Sequence, residues 1–427
     1  MNKKVMALAV AGAFTAPAAA FAQASNVQIF GTIYVEYAYA KQGPLGAGAA
    51  GAASPNSPAG GLNGGDQINV DLMQDPGSEI GVKGEEALGG GMSAWFQCTS
   101  TADVKNSATA GFCSRNSAIG VKGSFGNVYA GNWDMPMKKS AGTARITSDT
   151  GIWGVGRMLY GDSSTFTANN TIGGAPAVNA ASAIAFSRRQ GNSLFYDSPN
   201  FSGFQVSGGI STTGASAAAL TQTTTASGAK PRVWGVAGTY TNGPLYLTLA
   251  YENHTNFSAN NAAVNPYSGT DTGWHAGGAY QFGPVKVGLL YVSRKYDMSA
   301  DGTTNLKVNA WNLAGEWAIQ GPHALRGGYT RAQNTTGNAG TGAGAAFTFG
   351  SSAGGGLTAN GGAGSTGGNI WQVQYVYNAS KRTELTVGYV ALQNDANSRY
   401  TLGGLSSGTI QAGQNQSAFA VSMKNTF

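Results

Sequence analysis

Side chains along most of this chain alternate, with a period of two residues, between apolar types and small or polar types. In one stretch Leu247, Leu249 and Tyr251 fall on one parity, whereas Thr248 and Glu252 fall on the other. Successive side chains of a β-strand point to opposite faces, so this pattern predicts strands with one apolar and one polar face. After residue 22 no run of about 20 apolar residues occurs, which excludes a helical membrane protein. The same alternation recurs at 27–39, 285–294, 371–377, 384–389 and 419–427.

The connections between these stretches alternate in length along the chain. Seven short turns and eight long loops rich in Gly, Ala, Ser, Thr and Asn join sixteen predicted strands. The chain length leaves about 25 residues for each strand and connection, more than the 9–11 residues of a tilted spanning strand. The short turns fall at 84–91, 123–127, 198–203, 241–244, 281–284, 318–322 and 378–383. The long loops fall near 41–66, 99–113, 134–182, 212–231, 253–272, 295–307, 332–368 and 393–416.

Composition decides between a soluble β-sandwich and a transmembrane β-barrel. Charged residues make up 10% of the chain, against about 25% in a soluble domain, whereas a sandwich needs surface charge to stay in solution. Because lipid offers no hydrogen bonds, a sheet that crosses a membrane must close on itself. We therefore predict an all-β fold, a sixteen-stranded antiparallel transmembrane β-barrel with short periplasmic turns and long external loops. Aromatic residues near the predicted strand ends fit the two membrane interfaces: Tyr37, Tyr39, Trp133, Tyr251, Tyr280, Tyr291, Trp317 and Tyr377.

Residues 1–22 have the pattern of a secretory signal peptide. Lys3 and Lys4 precede an Ala-rich apolar stretch, and Ala20 and Ala22 flank Phe21 in a small-x-small cleavage site. A membrane anchor is the alternative, but it is a poor one because small residues dominate the stretch. Removal of two lysines lowers the formal charge from +6 to about +4, too weak to indicate nucleic-acid binding. We expect a single barrel domain at 23–427.

Two cysteines, Cys98 and Cys113, bracket a polar stretch that reads as a loop between two strands. In an exported protein an even number of cysteines usually forms disulfides, so we predict a Cys98–Cys113 bridge. Two unpaired thiols are the alternative.

Motifs for enzymatic chemistry are missing from the sequence. The three histidines are scattered, and no His-x-x-x-His, Cys-x-x-Cys or Gly-x-Ser-x-Gly motif occurs. The glycine-rich stretches 46–51 and 354–368 lack the strand and helix that a phosphate-binding loop requires. We predict that the chain is not an enzyme and binds neither a cofactor nor a metal.

Several stretches, taken in order, resemble the general diffusion porins of Gram-negative outer membranes, most closely the β-proteobacterial branch. They are SEIGVKGEEALG at 78–89, SRNSAIGVKGSFG at 114–126, NSLFYDSPNFSG at 192–203, SKRT at 380–383 and SAFAVSMKNTF at 417–427. The resemblance implies a trimeric barrel whose third external loop folds into the lumen as a constriction. It also implies that the barrel-assembly machinery recognises the terminal Phe427, and that lipid and lipopolysaccharide surround the protein. Small hydrophilic solutes would then diffuse through the lumen.

The constriction implied by the resemblance lies on the loop at 134–182. The charged residues on this loop are Asp134, Lys138, Lys139, Arg145, Asp149, Arg157 and Asp162. In the family, acidic side chains on this loop face arginines of the barrel wall. Arg115 and Arg189, with Arg188 beside it, occupy basic wall positions, whereas Glu79 stands where arginine is common. Parity places Glu79 in the lumen and Arg189 on the face of Ser193, but it does not place Arg115 cleanly.

The predicted function is passive diffusion of small hydrophilic solutes and ions with a weak preference for anions, motivated by the positive charge and by the Arg188–Arg189 pair. Two alternatives stay open. A substrate-specific channel could use Trp153, Tyr160 and Phe166 as an aromatic path, and an adhesin or structural barrel could act through the loops at 41–66 and 332–368.

Overall fold

A computed structural model describes residues 26–43, 68–105, 111–161, 185–212, 232–255, 270–297, 305–337 and 365–427, the last range without 397, 399, 404 and 406–412. The predicted signal segment, Asp162, Phe166 and much of the long loops lie outside these residues, so the predictions made for them stay predictions.

Seventeen β-strands form one antiparallel sheet that closes on itself. Both β2 and β3 pair with β1, on its second and first halves respectively, so they share one position and the barrel has sixteen. β17 pairs with β1 and completes the closure. The predicted sixteen-stranded antiparallel barrel is therefore confirmed. The strands are β1 (Asn26–Gln42), β2 (Ile68–Gln74), β3 (Glu79–Gly89), β4 (Met92–Thr101), β5 (Ser117–Gly123), β6 (Gly126–Asp134), β7 (Arg189–Asp197), β8 (Phe204–Ser211), β9 (Arg232–Asn242), β10 (Leu245–Thr255), β11 (Thr270–Phe282), β12 (Val285–Asp297), β13 (Asn305–Ala318), β14 (His323–Ala332), β15 (Gly368–Asn378), β16 (Thr383–Asn394) and β17 (Gln416–Thr426).

The alternation in sequence corresponds to an outer and an inner face of the barrel. On β10, Leu249 is 62% exposed on the outside, whereas Thr248 is 5% exposed on the inside. Most predicted interface aromatics lie on the outer face, where Tyr251 contacts Trp234. Trp133 is the exception: it shares the inward parity of Tyr129 and contacts that ring at 5.4 Å. Its assignment to the membrane interface was wrong for this reason.

The first short turn is tighter than the sequence pattern predicts. β3 continues to Gly89, and only two residues separate it from β4. The expected turn began at Gly84 because the charged Glu85 and Glu86 interrupt the apolar alternation there. Gly89, Gly90 and Gly91 all have positive φ, a conformation that glycine adopts without steric cost.

Two helices follow β6 and lie inside the barrel. The helix α1 (Pro136–Arg145) begins with a proline, whose missing N–H costs nothing in the first turn. It ends where Ile146 takes a φ of 62°. The shorter α2 (Gly156–Tyr160) follows after ten residues. No helix within the described ranges combines the length and hydropathy needed to cross a bilayer.

Candidate functional site in the barrel lumen

Residues 135–161, here called the inner segment, are attached to the barrel wall through His275 on β11. Ser140 of α1 and Thr248 of β10 lie 3.2 and 3.1 Å from Nε2 of His275, and the hydroxyl of Tyr160 lies 3.1 Å from Nδ1. Because the Ser140 hydroxyl donates to the carbonyl of Pro136, its oxygen can accept from Nε2–H. One buried imidazole therefore connects both inner helices to the wall.

Three further hydrogen bonds attach the middle of the inner segment to distant strands. The backbone N–H of Ile152 donates to Glu36 on β1 at 2.8 Å. Gln372 on β15 donates to the carbonyl of Trp153 at 3.2 Å, and Arg294 on β12 donates to the carbonyl of Met158 at 3.1 Å. The inner segment thus contacts strands on different sides of the lumen.

The apolar side chains of the inner segment form a core with small inward residues of the wall. Met137, Ile152, Trp153, Met158 and Leu159 are all fully or almost fully buried. Gly288 on the wall leaves room for the backbone of α1, because a Cβ there would collide with the carbonyl oxygen of Ala144. Small alanines of the wall leave room for the apolar side chains and belong to the same cluster: Ala38, Ala250, Ala310, Ala332, Ala418 and Ala420.

Charged side chains meet at the loop end of β3–β7, in what we call the rim cluster: Glu79, Arg115, Asp134, Lys138 and Arg189. Arg115 donates to Glu79 at 2.6 Å. Asp134 pairs with both Lys138 at 3.1 Å and Arg189 at 3.3 Å. All five side chains are 19–28% exposed, so water and solutes can reach them.

Asn116 joins the two halves of the rim cluster. It follows Arg115 in the chain, accepts from Nε of Arg189 at 2.5 Å, and donates to Asp134 at 3.0 Å. Parity could not place Arg115 because β5 begins only at Ser117, so this residue lies beyond the alternating strand. Glu79, which interrupts the basic wall positions in the sequence, is neutralised by Arg115.

A β-bulge changes which residue of β7 faces inward. Gly131 pairs with Ser193 and Trp133 pairs with Gln190, so β7 carries one extra residue over this interval. Gln190 is consequently the fully buried residue that shares the face of Ser193. Arg189 therefore does not share the face of Ser193, as its parity predicted, although the end of the strand brings Arg189 into the rim cluster.

Arg188 and Arg189 do not act together, because they occupy different surroundings. Arg188 is 4% exposed, and its backbone carbonyl accepts from the N–H of Met135 at 3.1 Å. Burial lowers the pKa of Arg188 to about 10, and the Glu252 carboxylate opposes this shift. The guanidinium therefore stays charged at neutral pH without lining the open lumen.

The other predicted loop charges lie within the inner segment. Arg145 pairs with Asp149 at 2.9 Å and also donates to the carbonyl of Thr147 at 3.1 Å. Arg157 lies 3.4 Å from the hydroxyl of Thr401. None of these three contacts the rim cluster through an interaction between described residues.

Sequence reasoning missed four inward-facing charges of the wall, Lys83, Glu85, Lys122 and Asp197. Lys122 pairs with Glu85 at 2.7 Å. Asp197 pairs at 2.6 Å with Lys139 of α1, which was among the predicted loop charges. Lys83 lies on β3 between Glu85 and the rim cluster. Alternation along β3 from the inward-facing Glu79 would have placed Lys83 and Glu85 in the lumen.

The predicted disulfide and the chain end are both present in the described residues. Cys98 and Cys113 form a disulfide with their Cα atoms 4.8 Å apart, as predicted. Phe427 exchanges two backbone hydrogen bonds of 3.0 Å with Gly31 of β1, and its ring lies over that glycine. Phe427 therefore lies at the seam where the barrel closes.

The similar proteins described next are outer membrane proteins of Gram-negative bacteria. The chain is 33% identical over 135 residues to the major outer membrane protein P.IB of Neisseria gonorrhoeae, a match covering 32% of each protein, so it spans about a third of that relative's length. It is 26% identical over 317 residues to the outer membrane porin protein 32 of Delftia acidovorans, covering 71% of this chain and 74% of the relative.

Solved structures with the same fold cover almost the whole chain. An anion-selective porin from Comamonas acidovorans matches with a TM-score of 0.63 and 20% identity, covering 94% of this chain and all of the other. The model of the Gram-negative porin family matches residues 7–397. The chain therefore belongs to the Gram-negative porin family, whose members are β-barrels of the outer membrane.

Proposed function

We propose that the protein is a passive channel for small hydrophilic solutes and ions, without catalytic activity, and that it weakly prefers anions. The inner segment narrows the lumen, because its buried core occupies the space beside β9–β17. Solutes then pass between the first turns of α1 and the inward side of β3–β7, where the rim cluster is accessible.

The charge of this passage carries the proposed anion preference. Six cations and four carboxylates lie on this patch of wall and on the first turn of α1, and most of them are paired. A net positive, partly low-dielectric surface raises the local concentration of anions. The cations are Lys83, Arg115, Lys122, Lys138, Lys139 and Arg189, and the carboxylates are Glu79, Glu85, Asp134 and Asp197.

The zero-current potential across a planar bilayer in a KCl gradient tests this proposal. The purified protein should form open channels whose potential has the sign of chloride preference. A potential of the opposite sign would contradict the anion preference, whereas absence of any conductance would contradict the channel itself. Liposome swelling with sugars of graded mass separates general diffusion, in which rates fall smoothly with mass, from a channel specific for one solute.

We also propose that the protein forms homotrimers surrounded by lipid and lipopolysaccharide and that the barrel-assembly machinery inserts it, in agreement with its family membership. Chemical cross-linking of the protein in outer membranes tests the trimer directly, since a trimer gives a ladder that stops at three subunits.

A further inference from the structure

A cavity of about 540 Å³ opens on the inward wall below the rim cluster. We call it the indole pocket and define it by six of its lining residues, Gln28, Lys83, Glu85, Trp95, Lys122 and Asn127. Lys83 lies on the same strand and face as Glu79, four residues away, which corresponds to about 13 Å along the wall. A solute that has passed the rim cluster therefore reaches this pocket next.

The indole of Trp95 is held rigidly at the edge of this pocket. Its Nε1–H donates to Asn127 at 2.8 Å, and its ring contacts Tyr129 and Trp133 at centroid distances of 5.5 and 5.8 Å. The ring leans over Gly120, where a Cβ would lie 2.7 Å from Nε1. Glycine is therefore required at 120, and the half-buried indole presents its remaining surface to the cavity.

Lys83 provides an ammonium group to the same cavity. Its Nζ lies 5.0 Å from the centroid of Phe30, and no carboxylate of the described residues forms an ion pair with it. Lys122, by contrast, is neutralised by Glu85. The exposed amide of Gln28 also makes no hydrogen bond within the described residues, so a polar ligand would find both groups available.

Packing alone explains part of this arrangement. Aromatic side chains often cover a glycine on a neighbouring strand, as Trp95 covers Gly120. Packing does not explain why an unneutralised cation and this indole line the same open cavity of ligand size. A stacking surface and a cation in one cavity are suited to a solute that carries a ring and an anionic group.

We propose that the indole pocket binds small carboxylates that contain a six-membered ring, with the ring on Trp95 and the carboxylate at Lys83. This inference rests on the proposed channel function, because the ligand reaches the pocket through the lumen. Sugar acids and aromatic acids share this chemistry, and the test below separates them.

The experiment measures block of single-channel KCl current by graded additions of glucuronate, benzoate, glucose and acetate. Glucuronate or benzoate should reduce the current in a saturable way at concentrations where glucose and acetate, which lack the charge or the ring, do not. The acid that blocks more strongly shows whether the pocket prefers a sugar ring or an aromatic ring. Open channels with no saturable block by either acid would overturn the proposed binding in the indole pocket and leave the channel function intact. Failure to conduct at all would instead contradict the proposed channel function.

Two variants and one control assign the block to the pocket. Trp95→Ala and Lys83→Met should each weaken it about tenfold, and Lys83→Met is expected to assemble normally because the side chain is exposed. Lys286→Met removes the same charge from the inward face of β12, across the lumen, and should leave the block unchanged. Block that is insensitive to Lys83→Met, or equally sensitive to Lys286→Met, would overturn the proposal.

Discussion

At the scale of single residues, Asp134 is the carboxylate on which the charge balance of the passage depends. It is shared by Lys138 and Arg189, with a further hydrogen bond from Asn116. Removing one cation would therefore leave the Asp134 charge less compensated where ions pass. At 10 Å in water, one unit charge changes the energy of a passing ion by about 0.4 kcal/mol.

We expect Arg189→Gln to reduce the chloride-to-potassium permeability ratio about fourfold, because the lost charge shifts the energies of the two ions by that amount in opposite directions. The reversal potential in a KCl gradient at low ionic strength measures the change, since salt screens it. Lys381→Gln removes an equal charge from the exposed β15–β16 turn and serves as the control. An equal shift in both variants, or none in either, would show that Arg189 does not influence the passage.

The position of single charges was only partly predictable from sequence. Glu79 could be placed in the lumen because β3 alternates regularly from its first residue. Arg189 could not, since the extra residue in β7 leaves no mark in the apolar pattern. The different surroundings of Arg188 and Arg189 could not be predicted either, because contacts between distant parts of the chain decide which of the two is buried.

At the scale of elements, the inner segment owes its position to the wall as much as to its own helices. Its length and place after β6 indicated that it could fold inward, but His275, Glu36 and Gln372 were not predicted as its partners. These three polar residues lie on separate strands, and only closure of the barrel brings them to one segment. Small residues of the wall around them make room for the inner segment, which explains part of the high glycine and alanine content of the chain.

We expect Gly288→Ala to displace α1, because the new Cβ would collide with the carbonyl oxygen of Ala144. Overpacking of this kind costs about 1–3 kcal/mol, and the barrel strands themselves would be unaffected. Single-channel conductance should change or become heterogeneous, while the folded barrel still forms. Gly208→Ala on β8, where nothing lies within 4 Å, is the matched control and should conduct as the parent does. Unaltered conductance in Gly288→Ala would mean that α1 does not border the passage.

The loop between β4 and β5 should depend on its disulfide. The bridge spans 15 residues, for which loop closure predicts a stabilisation of about 3 kcal/mol. Reductant should lower the temperature at which the folded electrophoretic form is lost, and a variant with serine at both Cys98 and Cys113 should not respond to it. Two alkylatable thiols in unreduced, denatured protein would contradict the bridge.

At the scale of the whole molecule, the fold was predictable because the membrane restricts the choices. Lipid requires a closed sheet, and a closed sheet requires the same alternation in every strand, so the pattern repeats often enough to be recognised. The interruption between β2 and β3 could not be predicted in this way, since β2 adjoins a loop whose composition hides the strand boundary. Closure takes place between β1 and β17, and the hydrogen bonds between Phe427 and Gly31 lie at one end of this seam.

Deletion of Phe427 should impair assembly much more than stability. The residue contributes two backbone hydrogen bonds at the seam, worth about 1 kcal/mol each, and its ring covers Gly31. A barrel that loses only these contacts would stay folded, so a large fall in heat-modifiable protein in the outer membrane indicates a lost recognition signal. Phe419→Ala removes a lipid-facing ring from the same strand and controls for lost apolar surface. If both variants reach the membrane in equal amounts, and the deleted chain refolds in detergent as readily as the parent, Phe427 acts in neither recognition nor closure.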